Sequence, residues 1–299
     1  MTAGTAPTGS AVVRSLTESD LARWRTERGE KVRELAGRHW RMSRPGFWEP
    51  VHWLARLRKD EVVRPGTCLG YRAVLDEADS ALANGAMPMH ILEGVQDWGP
   101  HLLSKNRRHR LRKASRLVEL VELTGPELLE REGYDVVRSS LQRTGAGDPP
   151  EGDAYVRELA RDGIGRTATF LGGIQDGRLV AYIGGWAVGP TAYFQRLHIH
   201  TDALATQVGT ALVFAFVEAC QRGGEITELV NGLHSPEDES LTAYKEGIGF
   251  PVKRFACFVH LLPALAPLLR LTRPHVAYRL TGRYPGSVRP GRRRASPDA

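Results

Sequence analysis

Apolar and polar positions change their spacing along the chain, and the change marks out its elements. Residues 117–123 (LVELVEL) alternate as a half-buried strand does. Residues 126–141 predict a helix with Pro126 in its first turn. Residues 144–152 (TGAGDPPEG) read as loop, and 154–161 as a second helix. Residues 167–172 and 179–188 predict two strands joined by the turn Gln175-Asp176-Gly177, and 191–198 a third. Residues 207–222 predict an amphipathic helix with Val208, Leu212, Ala215, Phe216 and Ala219 on one stripe. A short buried strand follows at 226–231. Ser235-Pro236-Glu237-Asp238 has the chemistry of a helix start: Ser as N-cap, Pro at the first position, acids in the first turn. That helix is expected to end at Gly247 and Gly249, before a last strand at 252–261. The order β-α-α-β-β-β-α-β-α-β predicts an α+β (mixed α/β) fold: a mixed sheet flanked by helices.

The first hundred residues are less periodic. Residues 1–15 read as a flexible arm, and 16–100 as a small mixed subdomain rich in tryptophan. Pro45, Gly46, Pro50, Pro65 and Gly66 punctuate strand-like pieces at 61–63 and 70–75, with a short helix at 79–83. Residues 103–116 lack Gly and Pro and predict a helix. The main domain is expected over 101–262. The remainder, 263–299, reads as an extension whose Pro-, Gly- and Ser-rich end, carrying Arg289, Arg292, Arg293 and Arg294, has the composition of a disordered tail.

Composition narrows the function classes. The chain has 299 residues, 41% hydrophobic and 25% charged, an ordinary globular balance with room for a sizeable core. No apolar run approaches the roughly 18 residues that span a bilayer. The stretch 257–271 is broken by His260, Pro263, Pro267 and Arg270. The first ten residues lack a basic start followed by an apolar run, so a cytoplasmic location is the expectation. Cys68, Cys220 and Cys257 are odd in number and widely spaced, which speaks against a disulfide framework or zinc cluster. The formal charge of +7 favours an anionic partner. It is concentrated in Lys105, Arg107, Arg108, Arg110, Arg112, Lys113 and Arg116, a block without an acid. At helical spacing Arg108, Arg112 and Arg116 share a face with Lys105 nearby, a stripe suited to a phosphate backbone or to a solvated helix face. No aromatic interleaving indicates single-strand stacking.

Three stretches carry a family likeness: the glycine-bearing turn before the long helix, LSKNRRHRLRKA (103–114), and SLTAYKEGIGF (240–250). With the element order, they make the chain resemble the GNAT acyltransferase superfamily, and within it the Fem-type branch of non-ribosomal peptidyl transferases. The resemblance covers about 101–262, the first hundred residues corresponding to a reduced first half. It implies an N-acyltransferase that forms an amide bond, moving an aminoacyl group from aminoacyl-tRNA to an amine of a small molecule or peptide. No tightly bound cofactor is implied. Acetyl-CoA or another acyl-CoA is the alternative donor, and a non-catalytic GNAT fold that binds RNA or another anion is a second alternative.

The site residues follow from the same resemblance. Thr206, Gln207, Val208, Gly209, Thr210 and Ala211 occupy the place of the superfamily's pyrophosphate-binding loop, where backbone N–H groups at a helix N-terminus cradle phosphates. Gly209 and Ala211 fit that loop. Thr206 stands where Gln or Arg is expected, with Gln207 beside it. Gly209 and Ala211 would equally serve close helix–sheet packing. Lys245 takes the place of a CoA enzyme's tyrosine acid, and Tyr244 precedes it. Fem-like enzymes carry such an aromatic-Lys pair, in which the ammonium stabilises the oxyanion of acyl transfer. His198 or Gln195 would lie near the reacting amine, and Asn231 would line the site. Glu228 flanks the strand that ends at Asn231, and Arg143 borders the 144–152 loop, which looks like an acceptor gate. His198 and His200 at i, i+2 lack a third ligand, so no metal is expected. GxSxG, P-loop and HExxH motifs are absent.

Overall fold

The structure is a computed structural model that describes residues 4–145 and 147–283. The arginine-rich tail therefore lies outside the described residues. In chain order the strands are β1 (Thr5–Pro7), β2 (Ser15–Leu16), β3 (Val32–Leu35), β4 (Arg38–Arg44), β5 (Phe47–Pro50), β6 (Gly70–Val74) and β7 (Gly85–Glu93). They continue with β8 (Glu119–Leu123), β9 (Thr169–Gln175), β10 (Arg178–Val188), β11 (Thr191–Ile199), β12 (Glu228–Leu233) and β13 (Val252–Leu261). The α-helices are α1 (Glu18–Glu27), α2 (Lys105–Leu117), α3 (Tyr134–Thr144), α4 (Gly152–Arg161), α5 (Val208–Gly223), α6 (Glu239–Gly247), α7 (Leu265–Thr272) and α8 (Pro274–Thr281).

Two compact units interleave along the chain. One comprises the residues up to Arg33 with 89–232 and 240–253, and the other 34–88, 233–239 and the residues from Arg254 on. A single boundary near residue 100 does not describe them.

In the first unit the sheet runs β1-β8-β9-β10-β11-β12. Its neighbours are antiparallel from β1 to β11, and β11 pairs β12 in parallel. It is a mixed sheet flanked by helices. Ile183 and Leu171 face α5, whereas Tyr182, one residue away, faces Tyr155 of α4. Helices therefore cover both faces, as the alternation of a strand requires. Helix α5 is buried nearly all round rather than on one stripe. The reason is the segment read as a flexible arm. β1 pairs β8, β2 pairs β10, and the fully buried Ala11 and Val13 pack in the core with α5, where Val13 N–H donates to the Ala219 carbonyl at 3.0 Å. Two short apolar side chains in a polar stretch carry no periodicity, so nothing local announces this packing.

Other expectations shift by small amounts. The helix at 126–141 contains a π turn (Leu129–Gly133) before α3. Residues 61–63 are not a strand. The chain there leaves a 3-10 turn at Lys59–Glu61, and Glu61 folds back onto the Arg58 N–H at 2.7 Å. The strands at 70–75 and 252–261 stand as β6 and β13, and the short helix expected at 79–83 is a 3-10 turn two residues earlier (Glu77–Leu82).

The second unit orders its strands β13-β6-β5-β4-β3 around Trp40, Trp48, Leu57, Tyr71 and Ala73. Buried Arg72 is paired with buried Glu49. Helices α7 and α8 belong to the segment read as an extension. Ser235 and Glu237 accept hydrogen bonds from Arg279, so 235–238 form a turn before α6 instead of its first residues.

Candidate active site

The first unit's sheet opens at one place. β11 and β12 pair only at Thr191–Glu228, Ala192–Leu229 and Tyr193–Val230. Beyond Tyr193, β11 stays with β10 and carries a bulge: Phe194 faces Gly185 and Arg196 faces Gly184, leaving Gln195 as the extra residue. A bulge aims two successive side chains to one face. Gln195 and Arg196 both reach Asp162, the first through Nε2 at 3.0 Å and the second through Nη2 at 3.2 Å. Arg28 joins the same carboxylate at 2.6 Å. Asp162 is fully buried and Glu158 adds a longer contact to Arg196. This acidic hub is not evident from sequence, because Arg28, Asp162 and Gln195 lie far apart along the chain.

The chain leaving β11 makes a 3-10 turn (Thr201–Thr206), then Gln207 in the left-handed region (φ 67°), then α5. Thr206 donates its hydroxyl to the Ala203 carbonyl at 2.6 Å and accepts from the Val208 N–H at 3.2 Å. Gly209 packs where a Cβ would collide with Ile199 of β11. Val208, Thr210 and Ala211 are buried, and only Gln207 is partly open.

Three helices meet beside this loop. Tyr244 of α6 is hydrogen-bonded with Thr210 of α5, and burial pushes its phenol up against the opposing effects of that bond and of Arg107. The Arg107 guanidinium of α2 stands over the Tyr244 ring at 5.3 Å. Lys245 Nζ donates to the Asn231 carbonyl at 2.6 Å. The β11–β12 pairing ends one residue earlier, at Val230. The C-terminal end of α6 is fastened as well. Phe250 N–H donates to the Lys245 carbonyl at 3.0 Å, and buried His90 Nδ1 meets the Phe250 carbonyl at 3.0 Å. Gly249 (φ 95°) lies where a Cβ would strike Trp98.

Lys245, Tyr244, Asn231 and the Thr206–Ala211 loop are thus gathered at one end of the sheet. His198 is not among them. Leu197 and Ile199 pack towards α5, so His198 points to the other face, where its ring lies 5.4 Å from that of Tyr182. Burial and the Arg196 charge bring its pKa down to about 4. His200 has separate surroundings, near Asp135 and Asp202. Glu228 is buried and accepts from the Thr191 hydroxyl, and Arg143 reaches the Ile199 carbonyl at 3.4 Å. In the basic helix, Lys105, Arg112 and Arg116 are exposed. Arg108 instead donates to the Leu103 carbonyl at 2.6 Å and turns back on its own loop. Among the described residues no cluster of His, Cys, Asp and Glu is arranged to hold a metal ion. None of their helices is long and apolar enough to cross a membrane.

Residues 104–246, which hold all of these elements from α2 to α6, match the family model described as Acetyltransferase (GNAT) domain. Over that segment the chain is similar to GNAT acetyltransferases. Solved GNAT-like structures share the fold over nearly the whole chain. FemX superposes with a TM-score of 0.56 at 11% identity, covering 89% of this chain and 96% of its own. L-PGS from Bacillus licheniformis gives 0.57 at 12%, covering 90% and 99%. The C-terminal domain of a provisionally named lysylphosphatidylglycerol synthetase of Agrobacterium fabrum gives 0.56 at 12%, covering 91% and 94%. No curated protein sequence matches the chain.

Proposed function

We propose that this protein is a Fem-like aminoacyltransferase. It takes an aminoacyl group from aminoacyl-tRNA and joins it to an amine of a small molecule or peptide. The observation that carries the choice of donor is the Thr206 hydroxyl. It already holds the Val208 N–H, one of the backbone donors that a pyrophosphate cradle would need. The exposed cations Lys105, Arg112 and Arg116 on α2 suit an RNA backbone. The likeness in fold to FemX and to lysylphosphatidylglycerol synthetases is in keeping with aminoacyl transfer.

In this reading a neutral acceptor amine attacks the acyl carbon of the ester. Lys245 stabilises the oxyanion of the tetrahedral intermediate without giving up its proton. As the intermediate collapses, the C–O bond to the tRNA 3′-end breaks and the amide remains. The amine's proton passes through substrate groups to the departing tRNA hydroxyl. Tyr244, half-buried and protonated, orients α6 against Thr210. Asn231 contributes its carbonyl as the lysine's anchor. His198 points to the other face of β11 and has no part in this scheme.

Acetyl-CoA remains the second reading. Gly209 and Ala211, small residues in the first turn of the 16-residue α5, favour it. The deciding experiment titrates the purified protein with acetyl-CoA, charged tRNA and uncharged tRNA at one fixed salt concentration. Tighter binding of charged than uncharged tRNA, with transfer of a labelled amino acid to an amine, supports the proposal. Micromolar acetyl-CoA binding without tRNA binding overturns the donor. Binding of tRNA with no turnover on either donor leaves a binding protein.

A further inference from the structure

Arg107 stands apart from the rest of the basic block. Its neighbours Lys105, Arg112, Lys113 and Arg116 face solvent, whereas Arg107 turns inward and is half-buried. Its Nη1 is buried without a hydrogen-bond partner. Leaving a guanidinium donor unsatisfied away from water is costly, so such a group persists where something else holds it. Two contacts on α6 do so. The guanidinium lies over the Tyr244 ring at 5.3 Å, within cation–π range. Its other end packs on Gly247, where a Cβ would stand 2.7 Å from Nη2. Tyr244 and Gly247 flank Lys245 on one turn of α6.

We propose that Arg107 is a positioning residue for Lys245, acting through Tyr244 and the turn of α6 that both share. The planar guanidinium clamps the ring on one side while Thr210 holds its hydroxyl on the other. The side chain following Tyr244 is thereby kept on the Asn231 carbonyl. The positive charge also keeps the surroundings of the transition-state oxyanion electropositive. Arg107 is not a phosphate contact, although it sits within a helix read as RNA-binding. This inference rests on the oxyanion role proposed for Lys245.

The test uses the full chain and three variants. R107M keeps the stem and removes charge and fork. R107K keeps the charge and removes the planar fork. G247A leaves Arg107 intact and pushes its flexible end off the ring. We expect kcat to fall at least thirtyfold (about 2 kcal/mol) in R107M, with the donor KM changed less than twofold. Part of this loss should be recovered in R107K, and G247A should shift kcat in the same direction as R107M. The affinity for tRNA should stay within twofold of the parent in all three. Hydrogen exchange in α6 should speed up in R107M and G247A while α5 keeps its protection. An unchanged kcat in R107M overturns the proposal. So does a loss of tRNA affinity with kcat preserved, which would make Arg107 another phosphate contact. If the parent protein turns over acetyl-CoA and ignores tRNA, the donor reading fails by itself. The kcat and KM of the three variants with acetyl-CoA then decide the role of Arg107.

Discussion

Lys245 Nζ donates to the main-chain carbonyl of Asn231 at 2.6 Å, tying helix α6 to the strand end where β12 has parted from β11. An ammonium fixed at that point is pre-organised for a charge that develops only during acyl transfer, which is the condition under which an electrostatic group raises kcat. Replacing Lys245 by Ala is expected to lower kcat by about a hundredfold to a thousandfold with little change in donor KM. Steady-state kinetics with the active donor check this. Near-normal turnover in the variant would remove the oxyanion role.

Tyr244 is held protonated by burial, against the opposing effects of the Thr210 bond and the Arg107 charge. A phenol whose pKa is raised above its ordinary value does not ionise at neutral pH and adds no slope there. Tyr244→Phe should therefore cost about 1 kcal/mol of stability, the net worth of one hydrogen bond, and reduce kcat less than tenfold. A kcat loss as large as that of Lys245→Ala, with a shifted basic limb of the pH profile, would instead make Tyr244 the acid.

The basic helix separates into two kinds of arginine. Arg112 and Arg116 are exposed, while Arg108 bonds the Leu103 carbonyl at 2.6 Å. Reversing charge at Arg112 and Arg116 should weaken tRNA binding and make its salt dependence shallower by about 0.7 to 0.9 per lost phosphate contact. Reversing Arg108 should lower the unfolding midpoint. Filter binding over a salt series and thermal unfolding distinguish the two. Equal salt slopes in the parent and the Arg112/Arg116 double variant would leave the stripe a solvated face.

His198 has a folded-state pKa of about 4, below its usual value of 6.5, because burial and then Arg196 disfavour the imidazolium. The unfolded chain binds the proton more readily, so stability rises with pH across this window. The contribution is fully present above about pH 6.5 and is lost as the pH falls towards 4. It amounts to at most roughly 3 kcal/mol. Urea midpoints between pH 7 and pH 4.5 should show the decline, and His198→Asn should flatten it. An unchanged slope in the variant would assign the decline to other groups.

Asp162 is fully buried between Arg28, Arg196 and Gln195. Asp162→Asn keeps the shape and strands two guanidinium groups. The expected loss is about 3 kcal/mol, since removing one member of a buried ionic group leaves the others uncompensated. Denaturant unfolding measures it. A loss below about 1 kcal/mol would show that solvent reaches the cations once the carboxylate is gone.

Within 101–262 the local code was strong, and the sequence by itself determined the order of elements, the long helix α5, the last strand and the GNAT likeness. Alternating runs such as LVELVEL, the Gln175-Asp176-Gly177 turn and the glycines closing α6 each act within a few residues, so they are legible without a fold. The candidate residues Lys245, Tyr244 and Gly209 were legible for the same reason, as positions within short motifs. Tertiary structure alone decided which of them meet. It set Tyr244 against Thr210 and Lys245 against the Asn231 carbonyl at the end of β12, and it turned His198 to the other face. It also drew Ala11 and Val13 from an unremarkable leader into the core, and singled out Arg107 among seven similar cations. Those outcomes depend on contacts between residues far apart in the chain. Their energies come from burial and from satisfying polar groups in three dimensions, and no periodicity in the sequence encodes them.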